Sequence, residues 1–437
     1  MTNRLVKRIV FYIQIEFTSP VSILQEEYER TVTNLLENTK ENLYVAGSSL
    51  AGAMHAYLDK VKNEDSDRKM SSVFVSDLYF ENIDTKNIRE CVALSDNKTA
   101  VAGSNYEIEI VESGAKGHFF VELMIREQDN EKAMIADMAD ALYGFHSEEI
   151  RIGRKKTRGY GKCRVLYVVS KIYDRENYME YCNAYNKEMY CDLGNEQNLW
   201  IAKARQRNKM IHIEMPLRMK GCISIRQYAA KKNQPDFSHL TDAGHPVIPG
   251  SSFAGALRHK VKTILEELEC CAVKLPYSIS DMVDIAFGSA EADNSGISKI
   301  LIDEAVIRGA RPLTLMRTGI SRFEASAREK SLYKERVFAD GIFELHISVS
   351  KDVQSQWILG ILLLALKDLQ NGFLAVGGQT AVGRGIFESN GAICIDGKFG
   401  IENQIIKETL NNMKMIGRDN YESDKGTTTR GNVCSLS

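Results

Sequence analysis

Gly47-Ser-Ser-Leu-Ala-Gly-Ala-Met54 reappears as Gly250-Ser-Ser-Phe-Ala-Gly-Ala-Leu257. From Gly47 to Gly250 is 203 residues, about one domain length. Each phrase reads as a loop turning into a helix, where serine hydroxyls and free backbone N–H groups can hold a phosphate. The duplication points to two copies of one nucleic-acid-binding fold.

The surroundings repeat in the same order. In the first copy, Ile9–Phe17 is a β-branched and aromatic strand, followed by a polar stretch from Gln25 to Asn42. The helix after Gly47 places Leu50, Met54, Leu58 and Val61 on one face. Strands are predicted over Val73–Tyr79, Glu107–Val111 and His118–Ile125, then a helix from about Glu131 to Tyr143, a glycine loop Gly153–Gly161 and a strand from Arg164. In the second copy, Ile211–Met219 is a strand, and the helix after Gly250 buries Phe253, Leu257, Val261, Ile264, Leu265 and Leu268. Ile300–Ala305 and Ile342–Val349 follow as strands, then a helix from Gln354 to Leu369 and a second glycine loop, Gly377–Gly385. This α+β order fits two ferredoxin-like, RRM-like domains in tandem with inserted elements. The predicted boundaries are a first domain over 1–172, a linker over 173–209, a second domain over 210–400 and a C-terminal extension over 401–437, disordered from about 418.

With 437 residues, 44% hydrophobic and 26% charged, the chain has an ordinary globular composition and room for two or three cores. The net charge of −2 excludes a uniformly basic binder, leaving local stripes to carry phosphate contacts. Nine cysteines without a CxxC pair read as reduced thiols and not as disulfides or a zinc ribbon. The longest apolar run, Trp357–Leu366, is too short to span a bilayer and reads as a buried helix. No signal-peptide pattern opens the chain, so the expected location is cytoplasmic, with no membrane partner.

The Ser-Ser loops fail as Walker A motifs, because Ala256 and Leu257 stand where the lysine and hydroxyl belong, as do Ala53 and Met54. What remains is Gly47, Ser48 and Ser49 in one copy and Gly250, Ser251 and Ser252 in the other, with His55 and Arg258 one turn in. The alternative is a plain helix cap. Arg151–Arg164 holds seven cations and no acid, with Arg154, Lys155, Lys156 and Arg158 interleaved with glycines and Tyr160, a pattern suited to a phosphate backbone. The matching Gly377–Gly385 loop offers Gly377, Gly378 and Arg384. Arg311–Arg336 is basic and aromatic but diluted by three glutamates, so an RNA contact and a solvated surface both fit. There is no Gly-x-Ser-x-Gly or His-Glu-x-x-His; His239, His245 and His259 near the second Ser-Ser loop are the candidate acid–base groups.

Val247-Ile-Pro-Gly-Ser-Ser-Phe-Ala-Gly-Ala-Leu-Arg258 resembles the signature of the RAMP superfamily of CRISPR-associated proteins. Phe287-Gly-Ser, Ile302-Asp-Glu-Ala305, the Arg317–Tyr333 stretch and the closing glycine loop fit in order. The likeness is greatest to backbone subunits of type III effectors, here two in tandem. In the first copy Ala46 replaces the usual proline and His55 the usual arginine. The resemblance implies a palm with a protruding thumb, and guide RNA, target RNA and other CRISPR effector subunits as partners. It also implies an aspartate before the signature that cuts target RNA with Mg²⁺ or Mn²⁺, which places the catalytic and metal-holding role on Asp236, with Asp242 second. The alternative for Asp236 is a turn residue after Pro235. The first copy has no aspartate in the aligned stretch, only Glu37 and Glu41, and reads as binding without cutting. Within the complex the chain is thus expected to act as a metal-dependent endoribonuclease; the alternatives are a non-catalytic backbone subunit and a guide-processing ribonuclease.

Overall fold

The computed structural model describes residues 4–23, 32–33, 35, 37, 42–62, 72–81, 86–93, 95, 99–205, 210–228, 235–289, 296–352 and 356–424. The chain divides into two compact units, Met1–Lys209 with Thr241–Val247, and Met210–Leu240 with Ile248–Ser437.

The first unit contains β1 (Leu5–Phe17), β2 (Val32–Thr33), α1 (Gly47–Lys62), β3 (Val73–Val75), β4 (Leu78–Glu81), β5 (Lys86–Cys91), β6 (Tyr106–Val111), β7 (Lys116–Arg126), α2 (Glu131–His146) and β8 (Cys163–Tyr173). Its main sheet runs β4-β7-β1-β8, with β1 antiparallel to both neighbours. With a helix after the first and third strands of that sheet, this is the ferredoxin-like arrangement. Ile9, Phe11, Ile13, Ile15 and Phe17 of β1 pack with Leu50 and Met54 of α1 and Leu142 and Phe145 of α2. The alternate residues are buried too, which is why β1 reads as a nearly unbroken apolar run. Val10 and Tyr12 pack with Phe120, Val169, Tyr173 and Tyr190, and Tyr12 stacks on Tyr190 at 5.7 Å. Burial pushes the Tyr12 phenol up to about 12. Tyr181 and Tyr185 donate to the buried Glu122 carboxylate, which also pairs with Arg8. Within the stretch read as a linker over 173–209, the Tyr178–Asn183 and Glu188–Cys191 turns cover this outer face of the first sheet, while the Gln197–Lys203 helix packs Trp200 against Phe11 on the other face.

The second unit repeats the plan with β9 (Met210–Lys220), β10 (Arg226–Tyr228), β11 (Phe237–His239), α3 (Gly250–Cys270), α4 (Ile279–Phe287), β12 (Ile300–Ile302), β13 (Arg311–Arg317), β14 (Tyr333–Ala339), β15 (Ile342–Ser350), α5 (Gln356–Gln370), β16 (Ile386–Ser389), β17 (Cys394–Ile395) and α6 (Glu402–Asp424). Its sheet runs β12-β15-β9-β17, with β16 also paired to β9. Here only one face is apolar. Ile213, Met215, Leu217 and Met219 point into the core, whereas Glu214, Arg218 and Lys220 are exposed. The α3 residues expected inside are there, except that Leu268 is only partly buried. The Trp357–Leu366 run lies within α5, whose Gly360 lets Thr409 of α6 approach so closely that a Cβ would sit 2.2 Å from its hydroxyl. No helix among the described residues is long and apolar enough to cross a membrane.

Three elements differ from expectation. The strand predicted over Val73–Tyr79 breaks at Ser76 and Asp77 because their side chains bond elsewhere: Phe120 N–H donates to Ser76 Oγ and Gly47 N–H to Asp77 Oδ1. Helix α6 runs to Asp424, past the point where disorder is expected, and residues 425–437 lie outside the described residues. The basic stretch Arg311–Arg336 forms a hairpin of β13 against β14, counterpart to β5–β6 in the first unit.

Candidate nucleic-acid interface

The two glycine loops fold by one hydrogen-bond scheme. Gly161 N–H donates to Pro20 O at 2.8 Å, and Gly385 N–H to Cys222 O at 3.0 Å. Arg154 N–H reaches Ser22 O, and Gly378 N–H reaches Ser224 O. Ile152 N–H bonds Gly161 O as Val376 N–H bonds Gly385 O, both at 2.9 Å. Gly161 and Gly385 have φ of +72° and +68°, and a Cβ there would lie 1.8 Å from Ile152 O and 1.9 Å from Val376 O. The glycines therefore close the loops, beyond merely loosening them.

What each loop presents differs. In the first copy Arg154 and Lys156 are exposed, whereas Lys155 turns inward, its ammonium 3.0 Å from Cys91 Sγ and 4.9 Å from the Tyr106 ring. Burial works against the Lys155 charge, but Cys91 and Tyr106 more than offset it and raise the pKa. Arg158 is half-buried. In the second copy Gly377 is exposed and Gly378 half-buried. The expectation that Arg384 reaches RNA is corrected: the guanidinium is 1% exposed and paired at 2.9 Å with Glu335, itself 0% exposed. Glu335 also accepts from Ser224 Oγ at 2.6 Å and Arg226 Nε at 3.2 Å. Burial would raise the Glu335 carboxyl, but Ser224, Arg384 and Arg226 together hold it below the usual range.

Asp236 stands exposed beside this loop, immediately before β11. Its Oδ2 accepts from the Lys334 backbone N–H at 2.7 Å, opposite Met316 where the β13–β14 ladder meets the 318–332 loop. Around it, Arg226 lies over Phe237 at 4.7 Å and over Tyr333 at 5.6 Å, and Gln379 of the loop donates to the Tyr333 hydroxyl at 3.2 Å. Among the described residues there is no cluster of three or more His, Cys, Asp or Glu side chains able to hold a metal. A lone carboxylate does not make a resident metal site, but it fits Mg²⁺ that arrives with phosphate oxygens and keeps its waters. Asp242, the second candidate, is buried in the first unit, where it pairs with Arg89 at 3.3 Å. His239 is buried, its Nδ1 accepting from Ile225 N–H. Glu37 is ion-paired with Lys86, and Glu41 lies outside the described residues.

The helix starts are partly committed. Gly47 is buried and its N–H is taken by Asp77 at 2.8 Å, while Ser48, Ser49 and His55 are exposed. Gly250 is buried, Ser251 exposed and Ser252 half-buried. Arg258 donates to Gly288 O at 2.8 Å and Asp284 at 2.6 Å, so it anchors the end of α4 to α3.

The sequence model of the RAMP superfamily matches residues 15–164 and 238–388. The chain belongs to the RAMP superfamily. Its members bind RNA and work in CRISPR-associated complexes. No curated protein matches the chain in sequence. The first matched region begins near the end of β1 and the second within β11, and each runs on through its glycine loop. Asp236 lies just before the second matched region. Sequence reasoning missed the residues that organise the site in this RAMP copy, Arg226, Tyr333, Glu335 and Gln379. Only the pairing of Tyr333 with a basic stretch hinted at one of them.

Proposed function

We propose that the chain is a guide-RNA-binding backbone subunit of a type III CRISPR ribonucleoprotein, and that its second RAMP copy cuts target RNA with Asp236. The carrying observation is the position of that carboxylate: exposed, fixed through one oxygen by Lys334 N–H, where a basic hairpin's strands meet its 318–332 loop. The hairpin supports duplex contact. Its tip exposes Ile320, Leu332 and a 101% exposed Phe323 amid Arg317, Arg322, Arg328 and Lys330. Cations track phosphates and an exposed ring stacks on bases. Proposed contacts in the first copy are Ser48, Ser49, His55, Arg154, Lys156 and Arg158; in the second, Ser251, Ser252, Gly377 and Gly378.

For cleavage, Asp236 Oδ1 faces the strand as the proton-accepting and ligand oxygen while Oδ2 stays on Lys334. As Oδ1 takes its proton, the target 2′-oxygen bonds to the adjacent phosphorus, the P–O5′ bond breaks, and the leaving 5′-oxygen takes a proton from water, giving a 2′,3′-cyclic phosphate and a 5′-hydroxyl. A divalent cation, Mg²⁺ or Mn²⁺, supplies charge neutralisation at the phosphate. The first RAMP copy binds without cutting.

Because Phe323 is fully exposed, Phe323→Ala should leave the melting temperature unchanged. Loss of base stacking, worth about 1–3 kcal/mol, should weaken retention of a complementary target by at least about fivefold in a filter-binding titration. Unchanged retention would remove the hairpin tip from the interface.

A further inference from the structure

The two copies fasten equivalent loops with different chemistry. Val21 bridges to Val111 and Ile223 pairs with Phe338, and the next residues, Ser22 and Ser224, accept the matching loop N–H groups. Three residues back along each outer strand, Ile108 stands where the second copy has Glu335; two further back, Tyr106 stands where it has Tyr333. The loops agree with this register. Lys155 and Gln379, both left-handed at φ +53° and +58°, each reach that tyrosine, and Tyr160 stands where the second copy has Arg384. The parallel pairings place Val32 at the position of Asp236.

In the first copy these two positions carry no charge: Ile108 and Tyr160 form a buried cluster with Ile110. The buried charge there belongs to Arg89, opposite Ile108, which donates to the Tyr160 hydroxyl at 3.3 Å and pairs with Asp242. In the second copy they hold a fully buried ion pair: Arg384 Nη1 lies 2.9 Å from Glu335 Oε2, while Nε and Nη2 find no partner among the described residues. Burying such a pair costs desolvation that its attraction rarely recovers, so well-packed apolar residues are usually as stable or better. The same chain shows that this loop closes with Ile108 and Tyr160 in place of Glu335 and Arg384. The network touches the candidate site directly. Glu335 follows Lys334, whose N–H holds Asp236, and lies opposite Phe237 in the β11–β14 pairing. Arg226, paired with Glu335, packs over Phe237 and Tyr333.

We propose that Glu335, Arg384 and Arg226 are positioning residues that fix Asp236 and Tyr333 beside the glycine loop, and that the fold itself does not require them. This rests on the reading of Asp236 as the cutting carboxylate. A displacement of about 1 Å can cost on the order of a hundredfold in rate.

The test transplants the first copy's solution, Glu335→Ile with Arg384→Tyr, into the guide-loaded complex. The melting temperature and guide retention should be unchanged or higher. The kcat for target cutting should fall at least about tenfold with KM unchanged, and the Lys334 amide should exchange hydrogen at least about tenfold faster. A folded variant with wild-type kcat and wild-type Lys334 protection overturns the proposal, and so does a variant that cannot fold. Arg226→Leu, at a half-exposed position, should reproduce both losses; a wild-type result there overturns the part given to Arg226. If the wild-type complex makes no Asp236-dependent cut, the cleavage reading fails, and Lys334 exchange still decides the positioning claim.

Discussion

Asp236→Ala in the assembled, guide-loaded complex should abolish one full set of target-RNA cuts, a loss of about a hundredfold or more, while guide and target stay bound. The carboxylate is exposed, and among the described residues it forfeits one hydrogen bond, from Lys334 N–H, worth about 1 kcal/mol. The subunit should therefore fold and assemble normally. Asp236→Asn separates shape from chemistry. The amide oxygen can still accept from Lys334, but the group can neither take a proton nor ligate Mg²⁺ with charge, so it should cut as poorly as alanine. Gel analysis of end-labelled target with Mg²⁺, and again with chelator, reads all three states. Retention of the full cut set by either variant would leave Asp236 as a turn residue and the subunit as a purely structural one.

The largest effect on stability is expected at Gly385. A methyl group there would sit 1.9 Å from Val376 O on a backbone at φ +68°, while the same peptide groups bond Cys222 and Val376. The neighbour is backbone and cannot swing away, so Gly385→Ala must open the loop. Losses above about 4 kcal/mol are rare for single substitutions, and this one combines steric overlap, left-handed strain and two broken hydrogen bonds. The second unit should unfold at least that much more easily in a denaturant titration. Gly383 is the control: its φ is +82°, but a Cβ there meets nothing within 4 Å. Gly383→Ala should cost only the left-handed penalty, about 1–2 kcal/mol. Equal costs at the two positions would mean that loop closure contributes nothing beyond local strain.

The duplicated Ser-Ser phrase and the apolar periodicity of β1, α1, α3 and β15 made the tandem ferredoxin-like fold legible, because those signals are local. The short strands β3 and β4 were harder to read, since Ser76 and Asp77 interrupt them for partners 44 and 30 residues away. The Arg311–Ala339 hairpin escaped for a related reason. β13 is largely exposed, and β14 alternates with Glu335 at a buried position, so polarity along the sequence does not report burial there. Asp236 was legible through resemblance alone. Its setting was not, because Arg226, Glu335 and Arg384 converge from three separate segments, and Arg384 looked like a surface cation only because its buried partner lies 49 positions upstream.

The most direct measurement is the RNA carried by the native complex purified through this subunit. Extraction and sequencing should yield short guides of uniform length, protected along the two copies. A protein that purifies without RNA, or with fragments of random length and origin, would contradict a backbone subunit built around a guide.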